Sequence, residues 1–222
     1  MQAKRMAAER AAQLVKDGMA VGLGTGSTAT LAIRALADRV AGGLRIRATA
    51  TSERSAQMAM QWGIPLVSLE ELERLDLTID GADEVDPQWC LIKGGGGALL
   101  REKIVASASA QFIVIVDASK LVTRLGAFPL PVEVTPFGHV QTLRRLGALG
   151  CDAALREQEG QLYRTDNGHY IADCRFADGI AQPAELELRL NAIPGVVDNG
   201  LFVGMASRII VGHEEGAEEL VR

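Results

Sequence analysis

The chain has 222 residues, enough to bury a substantial core in one large domain or two small ones. Its 48% hydrophobic and 23% charged residues exclude a disordered chain, and a net charge of −5 excludes nucleic-acid binding by bulk electrostatics. Any anionic ligand must therefore be held by local basic groups and backbone N–H groups. Residues 2–17 are rich in Ala, Lys, Arg and Glu, which predicts a helix stopped by Gly18. Met19–Leu23 is a short apolar strand, the Gly/Ser/Thr loop 24–28 follows, and a helix then runs to about Val40. Arg45–Ala50 alternates as a strand does, and a helix covers about Glu53 to Trp62. Further short apolar runs at Ile64–Val67 and Leu75–Ile79 lead to a helix over Leu99–Ala110 and a buried strand over Phe112–Val116. Buried strands alternating with helices imply a parallel sheet covered on both faces, a Rossmann-like α/β arrangement.

The pattern changes near Gly126. Residues 128–134 carry two prolines in an apolar run, which suits a lead-in segment or an edge strand. A helix (about 137–149), a strand (about 152–157), a hairpin at Thr165–Gly168, a helix (about 183–192) and a strand (about 196–203) follow. Strand–helix–strand–strand–helix–strand is the ferredoxin-like order. The expected organisation is a Rossmann-like domain of residues 1–126 and 204–222, with a ferredoxin-like α+β domain of 127–203 inserted and Ala206–Val211 returning to the first sheet.

Three cysteines without CxxC spacing are expected as buried thiols, and three isolated histidines match no metal site. The N-terminus has no apolar signal core, and no run reaches the roughly 18 apolar residues of a membrane span, so a cytoplasmic location is expected.

Four segments carry chemistry. The loop GLGTGST at 22–28 joins a strand to a helix, where glycines let the backbone approach a ligand and helix N–H groups face an anion. It fits neither a Walker A loop nor GxGxxG, and a plain capped turn is the competing reading. Residues 80–86, DGADEVD, place four acids after a buried strand, at the strand ends where open α/β sheets bind ligands. These acids suit acid–base work or hydroxyl binding, with a solvated loop or a magnesium site as alternatives. Lys93 and the four glycines 94–97 precede a helix bearing Glu102 about one turn inside it. Four consecutive glycines are costly in backbone entropy and point to positive φ angles or close ligand approach, although Glu102 taken alone reads as an ordinary first-turn helix acid. DASK at 117–120 adds Lys120 after the next strand. The four loops share one placement, each following a buried strand, and that shared placement argues for a ligand crevice.

At these residues the sequence resembles the type A ribose-5-phosphate isomerase family. The resemblance rests on GLGTGSTA at 22–29, DGADEVD at 80–86, KGGGGALLREKI at 93–104 and DASKLV at 117–122. It continues through LGAFPLPVEV at 125–134, TDNGHYIAD at 165–173 and NAIPGVVDNGLF at 191–202, so it spans nearly the whole chain. His169 stands where the family hairpin commonly carries Asn. The resemblance implies interconversion of D-ribose 5-phosphate and D-ribulose 5-phosphate through a cis-enediolate, with no metal and no organic cofactor. It implies Glu102 as the base, Lys93 and the N–H groups of Gly94, Gly95, Gly96 and Gly97 at the enediolate oxygen, and Asp80 and Asp83 in ring opening and sugar binding beside Gly81 and Ala82. The phosphate is expected at Thr25, Gly26, Ser27 and Thr28, neutralised by Lys120 and Lys4, while Glu84 and Asp117 are expected to be structural. A phosphosugar as the only partner, without nucleic acid or membrane, and a homodimer or homotetramer are implied. A non-catalytic phosphosugar sensor is the alternative, against which stand Glu102 and the lack of a helix-turn-helix pattern before the first strand. An amino-sugar deaminase would be expected to place a histidine near the acids, and residues 1–138 contain none.

Overall fold

The computed structural model describes residues 1–222. The chain runs α1 (Gln2–Gln13), β1 (Ala20–Leu23), α2 (Ser27–Ala41), β2 (Arg47–Ala50), α3 (Glu53–Gln61), β3 (Leu77–Gly81), β4 (Glu84–Val85) and β5 (Leu91–Ile92). It continues through α4 (Leu99–Ser107), β6 (Phe112–Asp117), β7 (Leu130–Val134), α5 (His139–Gly147), β8 (Asp152–Leu155), β9 (Glu157–Gln158) and β10 (Gln161–Leu162). β11 (Tyr170–Arg175), α6 (Pro183–Asn191), β12 (Val196–Asn199), β13 (Leu201–Phe202), β14 (Arg208–Gly212) and β15 (Ala217–Val221) complete it. No helix is long and apolar enough to cross a membrane.

Contacts divide the chain into two units: residues 1–82, 101–120 and 205–222, and residues 83–100 and 121–204. The expected boundaries at 126/127 and 203/204 therefore shift. Residues 83–100 and 121–126 group with the second unit because β4 and β5 pair with β13, and because Cys90, Ile92 and Leu125 share its core.

The first unit is built on a six-stranded sheet of order β15-β14-β6-β3-β1-β2, parallel except for the antiparallel edge strand β15. Successive side chains of a strand face opposite sides. Val21, Leu23, Leu77 and Ile79 pack with α1, α2 and α3 residues such as Ala8, Leu36 and Ala59. Ala20 instead meets Val105 of α4, Leu72 and Leu75. The helices thus cover both faces, as the run of apolar strands implied. Helix α1 ends at Gln13 rather than near residue 17, and the Gly18 N–H bonds to the Arg45 carbonyl (2.7 Å) as the chain turns into β1. At the far end Gly212 lets α1 lie against β14: a β-carbon there would fall 1.8 Å from the Ala3 carbonyl oxygen.

The second unit contains a four-stranded antiparallel sheet of order β12-β7-β11-β8 with α5 and α6, the ferredoxin-like succession. The expected edge strand is β7, and it lies centrally between β11 and β12. Pro131 brings no N–H to the ladder, but its carbonyl accepts the Gly200 N–H (2.7 Å) and its strand is wholly buried. The strand expected over 196–203 breaks at Gly200 into β12 and β13, which join different sheets. A β-carbon at Gly200 would sit 2.3 Å from the Lys93 carbonyl oxygen and 2.9 Å from Pro131 Cδ, so only glycine lets these three segments converge.

Candidate active site

In the first unit the loop after β1 and the end of β3 fit backbone to backbone. Gly24 donates its N–H to the Ile79 carbonyl (2.9 Å), and a β-carbon on Gly24 would lie 2.6 Å from the Asp80 Cα. Asp80 is fully buried. Its Oδ1 accepts the N–H of Thr25 (3.0 Å) and of Gly81 (2.7 Å), which fixes the carboxylate plane.

Glu102, 3% exposed, lies in the first turn of α4. It precedes Val105 by three residues and so shares a helix face with it. Val105 reaches the strand at Gly22, where a β-carbon would lie 2.7 Å from its Cγ1. Helix α4 follows β3 and precedes its parallel neighbour β6, so it runs against the strands. Glu102 is thereby directed toward the carboxyl ends of the strands, the end that carries Gly24 and Asp80.

The loop after β1 differs from the expectation at Thr25. Its hydroxyl joins a cluster with Thr51 (2.8 Å), Ser52 (2.8 Å) and Ser55 (3.2 Å), and its N–H is on Asp80. Thr25 therefore ties the loop to the start of α3 and keeps no free donor for a ligand. Gly26, Ser27 and Thr28 remain at the start of α2, whose N-terminus has no side-chain cap. Gly26 adopts φ 110°, a conformation that favours glycine. Uncapped N–H groups and the positive end of a 15-residue helix are chemically suited to an anion. Lys4 Nζ donates to Ser27 Oγ (3.1 Å) in the first turn of α2. The charges of Lys4 and Lys120 both act on Asp117, the last residue of β6. Burial pushes its carboxyl up, but the N–H and hydroxyl of Ser119 and the charges of Lys4 and Lys120 outweigh that and hold it below the ordinary aspartate value.

The second unit carries Asp83, Lys93 and the glycines. Lys93 is 2% exposed, its N–H bonds the Gly200 carbonyl (2.9 Å), and its ammonium lies 5.5 Å from the centre of the Phe202 ring. The Gly97 N–H returns to the Gly94 carbonyl (2.9 Å), making 94–97 a tight turn with φ 101° at Gly94 and 78° at Gly97. The Gly95 N–H donates to Asp83 Oδ2 (2.8 Å). Two of the N–H groups expected to face a ligand are thus spent inside the unit, and Gly95 serves Asp83 instead. Glu84 and Asp86 act as backbone anchors. Glu84 accepts the N–H of Gly126 (2.6 Å) and Phe128 (2.5 Å), while Asp86 Oδ1 accepts those of Gln88 (2.9 Å) and Cys90 (2.8 Å).

Two residues that hold the glycine turn carry no signal in the sequence: Arg156 and Tyr163. Arg156 donates to the Gly94 and Gly95 carbonyls and pairs with Asp173, and the Tyr163 hydroxyl donates to the Gly96 carbonyl (3.4 Å). No local pattern marks them, since they lie about 60 residues or more from the turn they touch.

The chain matches the family model of ribose 5-phosphate isomerase A (phosphoriboisomerase A) over residues 47–216. It is 60% identical over 219 residues to ribose-5-phosphate isomerase A of Gloeobacter violaceus, covering 98% of this chain and 95% of that one. Ribose 5-phosphate isomerase A of Methanocaldococcus jannaschii has a similar structure, with a TM-score of 0.94 and 43% identity over 99% of this chain and 98% of that one. A D-ribose-5-phosphate isomerase solved in complex with phospho-erythronic acid gives a TM-score of 0.94 and 39% identity, with 99% and 97% of the two chains covered.

Proposed function

Because this chain belongs to the ribose-5-phosphate isomerase A family, it is an isomerase of ribose 5-phosphate, and we propose that Glu102 moves the proton in that reaction. The buried placement of Glu102 in the first turn of α4 carries the reading. Isomerisation removes a proton from C2 of the open-chain aldose and returns it to C1, so one carboxylate must serve two neighbouring carbons. The intermediate is a cis-enediolate, whose oxygen needs positive charge or donors already in place. Lys93 supplies the charge and the Gly96 N–H a donor. Asp80, fixed by two N–H groups, and Asp83, tied to Gly95, handle the anomeric hydroxyl and ring oxygen during ring opening and grip the sugar hydroxyls, beside Gly81 and Ala82. The phosphate rests on Gly26, Ser27 and Thr28, with Lys4 and Lys120 neutralising it.

Phospho-erythronic acid, the compound held by the similar isomerase, is a phosphorylated sugar acid. Its carboxylate is planar and anionic, as an enediolate is, which supports a site with one anion seat for phosphate and a second for a developing oxyanion. The enzyme is proposed to need no metal or organic cofactor, to act in the cytoplasm, and to assemble as a homodimer or homotetramer.

The test is a coupled assay of ribulose 5-phosphate formation with Glu102→Gln. We expect kcat to fall by at least about 10³-fold while ribose 5-phosphate still binds. A kcat within tenfold of the parent would remove Glu102 from the role of base.

A further inference from the structure

We propose that Arg156 is a positioning residue for the isomerisation, clamping the four-glycine turn so that its donors are set before charge develops. This rests on the reading above, in which that turn serves the enediolate. Arg156 Nη1 lies 3.0 Å from the Gly94 carbonyl oxygen and 3.0 Å from that of Gly95. Its other edge is held by Asp173, with Nε to Oδ2 at 2.9 Å and Nη2 to Oδ1 at 2.6 Å. This two-point pairing fixes the guanidinium plane, and the side chains of Arg156 and Asp173 are only 15% and 25% exposed. The guanidinium carbon also stands 5.8 Å from the centre of the Tyr163 ring. The same tyrosine holds the far end of the turn, where a β-carbon on Gly97 would meet its hydroxyl at 2.1 Å.

The consequence follows from peptide planarity. A carbonyl and the N–H of the next residue point in opposite directions. With the Gly94 carbonyl on Arg156, the Gly95 N–H is turned to Asp83. With the Gly95 carbonyl on Arg156, the Gly96 N–H faces away from the clamp. One side chain therefore sets both the anchor of Asp83 and the donor offered to the oxyanion. The cation also polarises both peptides, which strengthens their N–H groups as donors. Four glycines by themselves specify no such arrangement, because each populates many backbone conformations.

Arg156→Met, Arg156→Lys and Asp173→Asn test this alongside Glu102→Gln. The measurements are kcat, KM for ribose 5-phosphate, and inhibition by phospho-erythronic acid and by inorganic phosphate. For Arg156→Met we expect kcat to fall about tenfold or more, with KM and phosphate inhibition within about threefold of the parent. Inhibition by the sugar acid should weaken by about the factor lost in kcat/KM. Arg156→Lys keeps the charge but not the fork and should fall between. A parent-like kcat in Arg156→Met, or equal weakening of phosphate and sugar-acid inhibition, overturns the proposal. If Arg156→Met does not fold, Asp173→Asn, which frees the guanidinium without deleting it, is read by the same criteria. An inactive Glu102→Gln beside a fully active Arg156→Met defeats this inference alone, whereas an active Glu102→Gln defeats the reading of the base.

Discussion

Gly24 and Asp80 touch so closely that a β-carbon on Gly24 would lie 2.1 Å from Asp80 Oδ1 and 2.6 Å from its Cα. The second distance is to backbone, so a rotamer change cannot relieve it. Gly24→Ala must push β1 and β3 apart at their carboxyl ends and turn the Asp80 carboxylate. We expect kcat/KM to fall by about 10² or more, on the scale of a misplaced reacting group. A Gly24→Ala enzyme with parent-like kcat/KM would mean that the Asp80 position is immaterial.

Lys4 reaches Ser27, at the proposed phosphate site, from α1, whose approach depends on the bare face of Gly212. Lys4→Met and Thr28→Val should each raise KM for ribose 5-phosphate about three- to tenfold with little change in kcat, because each removes a contact present in ground and transition states alike. Thr25→Val should behave differently. It breaks the hydroxyl cluster with Thr51, Ser52 and Ser55, so stability and kcat should fall together. Steady-state kinetics and thermal unfolding of the three variants distinguish the two patterns.

Gly200→Ala places a methyl group 2.3 Å from the Lys93 carbonyl oxygen and 2.9 Å from Pro131 Cδ, both in buried segments. It should destabilise the protein by about 2–4 kcal/mol, the range of severe overpacking, and lower activity by displacing Lys93. Denaturant unfolding checks this, and a loss below about 0.5 kcal/mol would contradict the tight convergence there.

Glu219 sets a pH dependence remote from the chemistry. Burial pushes its carboxyl up, but hydrogen bonds from Arg10 and Arg208 and their charges outweigh that and hold it below the ordinary value of 4.5. A carboxyl depressed on folding adds stability that is present above its unfolded value and lost as pH falls through the folded one. The stability gap between the parent and Glu219→Gln should therefore be constant from neutral pH down to about 5 and close below 4.5. Unfolding curves across that range measure it, and a gap that widens on acidification would reverse the sign.

Activity should be unchanged after dialysis against EDTA. Loss on chelation, restored by magnesium, would return Asp80 and Asp83 to the metal-binding alternative.

Sequence alone determined the layered α/β plan, the ferredoxin-like succession and the four loops. Each depends on local pattern: apolar runs of strand length, glycines where a helix begins, and acids just past a buried strand. It also marked Glu102, Asp80 and Lys93 through long motifs whose spacing is specific. Tertiary structure decided which donors remain for a ligand. Thr25 and Gly95 belong to binding-loop motifs, yet their hydrogen-bonding groups are consumed by Ser52, Asp80 and Asp83, partners chosen by packing rather than by neighbourhood. The proline-bearing β7 became a central strand because burial on both sides outweighs one missing donor, and β12 parted from β13 where Gly200 meets Lys93 and Pro131. Arg156 was invisible in the linear pattern for the same reason: a guanidinium that sets the orientation of two peptides about 60 residues away is defined by the fold that brings them together.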